Sequence, residues 1–246
     1  MKQLFQLTVE NLHVIVEKKE VVKGINLTIT SGQFHVLMGP NGSGKSSLTH
    51  AIMGHPFYTI SGKMEVDTKP INDLSPDARA RLGIMMAFQN PIAVPGVTLS
   101  LFLRTAYKQV YPKSNLSVVD LHKMIVAQAK SLELPEEFLR RSINDGFSGG
   151  EKKKVEMLQL LILQPRLAIL DEIDTGLDVD SLKLVAHTIH ILSQKGCAIF
   201  MITHYKRILN YLKPQFVHVM RQGKLVVSGG PELISLIEEK GYAAIN

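Results

Sequence analysis

The sequence predicts an α/β fold: a parallel core sheet with an antiparallel β portion and an inserted helical lobe. Three observations carry that expectation. Phe34–Met38, Leu167–Leu170, Ala198–Ile202 and Val217–Met220 read as near-continuous apolar runs, the mark of strands buried on both faces. A glycine-rich loop follows the first of these runs and opens a helix. Between Thr98 and Gln164 the period becomes helical, clearest in Val118, Leu121, Ile125, Ala129 and Leu132 at spacings of three and four.

The elements follow in order. Leu4–Val9 and Gly24–Ile29 are β-rich runs bounded by turn residues, and Phe34–Met38 is a buried strand. Ser46–Met53 is helix-compatible and stops at Gly54-His55-Pro56, a terminal glycine followed by a breaker. Ser61–Val66 and Gly83–Phe88 are further strands. Pro91, Pro95 and Gly96 break regular structure across Asn90–Gly96, which sets a lobe boundary there. The expected division is residues 1–88 with 166–246 for the core and 89–165 for the helical lobe. Strands of this kind are expected to lie under helices on both faces, as in a doubly wound sheet.

Composition excludes several classes. The chain has 246 residues, 45% of them hydrophobic and 20% charged, which suits a globular domain with a sizeable core. Its apolar stretches fall far short of the roughly 20 residues of a membrane helix, and no secretory signal is readable at the N-terminus. No direct membrane insertion is expected. The single cysteine, Cys197, rules out an internal disulfide framework and fits a reducing compartment such as the cytoplasm, or a plastid-type organelle. The net charge of +6 is scattered, without an aromatic-studded basic ribbon, so no nucleic-acid partner is expected. Histidine and cysteine never reach zinc-site spacing.

Gly39-Pro40-Asn41-Gly42-Ser43-Gly44-Lys45-Ser46 fits G-x-x-x-x-G-K-[ST] in the strand–loop–helix setting that the pattern needs, with Ser47 in the same helix turn. Its backbone amides can cradle phosphate oxygens, Lys45 can reach the β- and γ-phosphates, and the Ser46 hydroxyl can serve Mg²⁺. The run Leu167–Leu170 ends in Asp171 and Glu172. Apolar strands often end in solvated acids, but beside a phosphate loop Asp171 suits the Mg²⁺ shell and Glu172 suits a water-activating role. Ser148-Gly149-Gly150-Glu151 opens a helix and offers a second anion-binding entrance. Since one ATP has one γ-phosphate, two cradles imply two copies of the chain closing each other's sites. Lys152, Lys153 and Lys154 oppose the dipole of that helix, so they are either solvated or paired with an anion or acid. Gln89 and His204 each follow a strand end, where they could touch the metal shell and the γ-phosphate; lone residues of these types are more often structural.

The order Gly39–Ser46, Gln89, Ser148-Gly149-Gly150, Asp171-Glu172, Asp178 and His204 resembles an ABC-type ATPase domain across nearly the whole chain. The resemblance implies an ATP hydrolase with Mg²⁺. It makes these segments the Walker A loop, Q-loop glutamine, signature, Walker B pair with catalytic glutamate, D-loop aspartate and switch histidine. Phe147 and Glu151 depart from the common signature. Together with Met86–Pro91, Pro95-Gly96-Val97, Gly146–Lys153, Asp171–Asp180, Thr203-His204-Tyr205 and Gly241-Tyr242, these departures resemble the SufC family of soluble ATPases. That resemblance implies SufB and SufD scaffold partners in iron–sulfur cluster assembly and a second copy of the chain on ATP binding. The alternative is the nucleotide-binding subunit of an ABC membrane transporter. A DNA-repair ATPase would need a long coiled coil, and no heptad tract occurs. Where many ABC ATPases stack adenine on an aromatic, this chain has Val16, so base stacking is expected to be weak.

Overall fold

The computed structural model describes residues 4–203 and 206–242. The chain opens with β1 (Gln6–Val16) and β2 (Lys19–Thr30), a long antiparallel hairpin, followed by β3 (Phe34–Met38) and helix α1 (Lys45–Met53). Next come β4 (Thr59–Val66), β5 (Lys69–Pro70), α2 (Pro76–Arg81), β6 (Ile84–Ala87) and β7 (Val94–Thr98). The helical part holds α3 (Leu99–Val110), α4 (Val118–Ser131), a 3-10 turn, β8 (Ser142–Ile143) and α5 (Gly149–Leu163). The chain then alternates β9 (Leu167–Asp171), α6 (Val179–Gln194), β10 (Ala198–Ile202) and the short α7 (Lys206–Leu209). It closes with β11 (Phe216–Arg221), β12 (Lys224–Gly229) and α8 (Glu232–Lys240).

Two main sheets result. The larger runs β12-β11-β3-β10-β9-β6, parallel except for the β12 edge, and the smaller runs β2-β1-β4-β5, antiparallel. Alternate residues of each parallel strand point to opposite faces, and the two faces have different covers. Val36, Leu170 and Met201 point into a core shared with α3, α4, α5, α6 and α8. Leu37, Ile169 and Phe200 point into a second core shared with α1 and the antiparallel sheet. Helices lie on both faces as expected, but on the second face α1 is joined by the antiparallel sheet, whose β2 packs against β10 and β12. The reason is legible in β1, whose Leu7, Val9, Leu12 and Val14 are all buried against that second core.

Other local readings also shift. The first strand does not stop at polar Glu10 and Asn11. It continues to Val16 through a bulge at Asn11, which sits at φ 45°, a conformation that asparagine tolerates. The Asn90–Gly96 breaker segment runs into β7, which begins at Val94 and pairs with β8 through Val94 and Ile143. Helix α5 packs on α6 as well as on α3 and α4, so it touches both the helical part and the parallel core. Among the described residues, no helix is long and apolar enough to cross a membrane.

Candidate active site

Every parallel strand flanking β3 ends at the same edge, where β3 gives way to the glycine loop and β9 delivers Asp171 and Glu172. The loop is held by chain from both ends of the sequence. A Cβ on Gly39 would lie 2.1 Å from the Met220 carbonyl oxygen, and one on Gly44 would lie 2.6 Å from that of Val21. Both residues also have positive φ, at 150° and 106°. Glycine is thus required at both positions on two counts. The Gly223 amide donates to the Ser43 carbonyl at 2.9 Å, fastening the loop to the β11–β12 turn.

Lys45 is buried, and its Nζ donates to the carbonyl oxygens of Gly39 at 2.8 Å and Pro40 at 3.1 Å. Burial pulls this ammonium below the usual lysine range, while Glu172 and Asp171 pull it back up. Ser46 donates its hydroxyl to Asp171 Oδ1 over 3.4 Å. Asp171 is raised above the ordinary carboxylate range, chiefly by burial, with the Ser46 hydrogen bond opposing. Across the cleft, Gln89 Nε2 donates to Glu172 Oε2 at 2.5 Å. Glu172 stands in the left-handed region at φ 45°, one residue beyond β9. Asn41, Gly42, Gly44, Lys45, Ser46, Ser47, Gln89 and Glu172 line one cavity of about 330 Å³.

Two observations fit the phosphates of a nucleotide to these residues. Ser43 Oγ is buried with no hydrogen-bond partner among the described residues. The N-cap of α1 is Gly44, which makes no side-chain cap bond, so the helix presents its leading amides and its positive dipole end to an anion. Among the described residues, no group of three or more His, Cys, Asp or Glu is arranged to hold a metal ion. A Mg²⁺ taken by Ser46, Gln89 and Asp171 would therefore need phosphate oxygens to complete its shell.

The remaining predicted residues fall into two places. Ser148 caps α5, accepting the Glu151 amide while Glu151 Oε2 accepts the Ser148 amide at 2.7 Å. That capping box gives Glu151 a structural role that a glutamine could also fill, and its hydrogen bonds hold the Glu151 carboxyl below its usual range. Gly149 and Gly150 follow on the same helix end. Asp178 caps α6 by accepting the Ser181 amide at 2.7 Å. His204 lies outside the described residues. Val16 ends β1 and packs against the second core, in the hairpin whose Val21 carbonyl abuts the glycine loop.

Two charged residues were missed as site elements. The solvated reading of Lys152–Lys154 fails for Lys153, which is buried and bonds the Phe88 and Gln89 carbonyls, and for Lys154, which pairs with Glu133 at 3.4 Å. Glu156 is buried beside Lys153. Its signal was present as the one acid inside the apolar stretch Val155–Leu158.

A family model described as ABC transporter matches residues 22–175, more than half of the chain. The chain belongs to the ABC ATPase family. It is 45% identical over 238 residues to vegetative protein 296 of Bacillus subtilis (strain 168), covering 96% of this chain and 91% of the relative. It is 43% identical over 244 residues to the probable ATP-dependent transporter ycf16 of Cyanophora paradoxa, covering 98% and 94%. Among solved structures, the dimeric ABC transporter cassette MJ0796 superposes with a TM-score of 0.78 at 22% identity, over 91% of this chain and 98% of that one. The same cassette in a post-hydrolysis state with ADP and Pi gives 0.79 at 22% identity, over 91% and 98%. This ABC ATPase is therefore an ATP-binding ATP hydrolase with the nucleotide-binding fold of its family.

Proposed function

We propose that this ABC ATPase is SufC-like: it hydrolyses ATP to drive rearrangement of a SufB–SufD scaffold while an iron–sulfur cluster is assembled. The observation that carries the catalytic part is the meeting of Gln89 and Glu172 in one cleft with Lys45 and Ser46. Amides of the loop and the Lys45 ammonium hold the phosphates. Glu172 takes a proton from water as its oxygen attacks the γ-phosphorus, and the bond to the β-phosphate oxygen breaks to give ADP and phosphate. Gln89 orients that water. Mg²⁺ held by Ser46, Gln89 and Asp171 would neutralise charge building on the β- and γ-phosphate oxygens. By resemblance, His204 contacts the γ-phosphate.

The second copy enters through Ser148, Gly149, Gly150 and Glu151, with Asp178 at the same junction. A Cβ on Gly149 would meet nothing within 4 Å, and one on Gly150 only Ser181 Oγ at 3.9 Å. This chain's own packing asks for glycine at neither position, which supports close approach by something outside it. Residues 89–165 form the lobe on which the scaffold would dock. Support for the SufC-like reading comes from the string Gly146–Lys153, whose Glu151 and Lys153 are built into a helix cap and a backbone clamp.

A transporter subunit is the second reading, favoured by the names of relatives such as a probable ABC transporter ATP-binding protein of Streptococcus pyogenes, 45% identical over 241 residues. Affinity purification from the native cell separates the two. Co-purifying SufB and SufD support the first reading; an integral membrane permease overturns it.

A further inference from the structure

Gln89 leaves the end of β6 in an exposed segment with no regular structure of its own, yet its backbone is held firmly from α5. Lys153 Nζ donates to the Phe88 carbonyl at 3.0 Å and to the Gln89 carbonyl at 2.5 Å. Glu156 Oε2 accepts the Phe88 amide at 2.9 Å, and its other oxygen accepts Gln159 Nε2 at 2.9 Å. Lys153 and Glu156 are only 4% and 5% exposed. Phe88, by contrast, is 45% exposed and gives the segment little apolar anchorage.

Two buried ionisable side chains on a helix face that is otherwise apolar, each bonded to peptide groups and not to the other, are costly to desolvate. Here the pair spends its hydrogen bonds on the peptide groups either side of Phe88, directly before the side chain that meets Glu172. We propose that Glu156, seconded by Lys153, is a positioning residue for ATP hydrolysis, fixing the direction from which Gln89 approaches Glu172. The proposal rests on the roles given above to Gln89 and Glu172.

A double-variant cycle on the full chain tests it, using Glu156→Ala, Gln89→Ala and the two combined. Glu156→Ala should lower ATP turnover by about ten- to a hundredfold, the scale of a displaced catalytic group, while KM for ATP stays within about twofold. Glu156→Gln keeps an acceptor for the Phe88 amide and should restore most of the rate. In the Gln89→Ala background, Glu156→Ala should cost nothing further, because the two act through one group. Wild-type turnover in Glu156→Ala, or losses that multiply in the double variant, overturns the proposal and leaves the role of Gln89 standing. Normal turnover in Gln89→Ala alone removes the role of Gln89 and the proposal with it. Lys153→Met, which deletes the two carbonyl contacts, runs through the same cycle if Glu156→Ala does not fold.

Discussion

Gln89 Nε2 and Glu172 Oε2 lie 2.5 Å apart, so two side chains suited to act on a γ-phosphate hold each other across the cleft. The glutamate enters that contact from a left-handed backbone position, directly after a buried aspartate. Its carboxylate matters most when water loses a proton. Glu172→Gln should therefore bind ATP normally and lose turnover by about a hundredfold or more. Parallel nucleotide titration and steady-state ATPase assays check this, and turnover near wild type would remove Glu172 from the role.

Ser148→Arg tests the composite site. Loss of the N-cap should cost about 1 kcal/mol of stability, small enough to leave a folded chain that still binds one nucleotide. The arginine places bulk and charge where a second copy must approach Gly149 and Gly150. Sedimentation in ATP, with Glu172→Gln present to prevent turnover, should find this variant monomeric and its Ser148 parent paired.

Arg79 should be among the most sensitive positions for stability. It is 1% exposed, and its guanidinium donates to the carbonyls of Leu74, Ala51, Ile52 and Asn72 at 2.8–2.9 Å, joining the C-terminal end of α1 to the chain before α2. Arg79→Met leaves those buried acceptors unmatched, at about 1–3 kcal/mol for each that water cannot reach. Urea unfolding should show a loss above about 3 kcal/mol; a change below about 1 kcal/mol would mean that water replaces the guanidinium.

His35 and His218 predict an acid-sensitive fold. His35 Nε2 faces Gln33 Oε1, which also accepts the Thr30 amide, and His35 Nδ1 meets His218 Nε2 at 3.0 Å, with Ser228 Oγ at the far end. Burial drives His35 down to about 3, with His218 contributing, and burial drives His218 down to about 4. An unfolded histidine titrates near 6.5. Between that value and about 4 the unfolded chain binds protons that the folded chain refuses, so stability rises with pH across this window and is lost on acidification. Replacing both histidines with glutamine should flatten the dependence of the urea midpoint on pH between 7 and 5.

Cys197 is buried, and burial pushes its thiol up to about 12. It should resist thiol reagents in the native protein and react on unfolding. Under the SufC-like reading, Cys197→Ser should deliver clusters nearly as well as wild type, because one buried thiol cannot supply the several thiolates a cluster takes. Failure of cluster delivery in a stably folded Cys197→Ser protein would show the thiol to be a ligand.

Legibility in the sequence followed the range of the forces involved. Phe34–Met38 and Ala198–Ile202 match their strands residue for residue, since full burial on both faces leaves an unbroken apolar run. The glycine loop was readable because its backbone shape restricts the residues allowed. That the antiparallel portion shares one face of the core with α1 was hidden, because β1 shows ordinary alternation broken by a polar bulge that only pairing with β2 and β4 resolves. Lys153 and Glu156 were hidden for a related reason. Charge in a helix reads as solvent-facing, and only the distant Phe88 and Gln89 peptides reveal what these two residues serve.

The place of β3 in the sheet bears on how the chain is made. Its hydrogen-bonded neighbours are β10 and β11, and the loop that follows it is latched by Met220 and Gly223. All of these partners are synthesised more than 150 residues later. A nascent chain therefore carries its nucleotide-binding segment for most of translation without the strands that shape it, and pairings so distant in sequence form slowly. ATP should therefore stabilise chiefly a chain in which β10 and β11 have already taken their places beside β3.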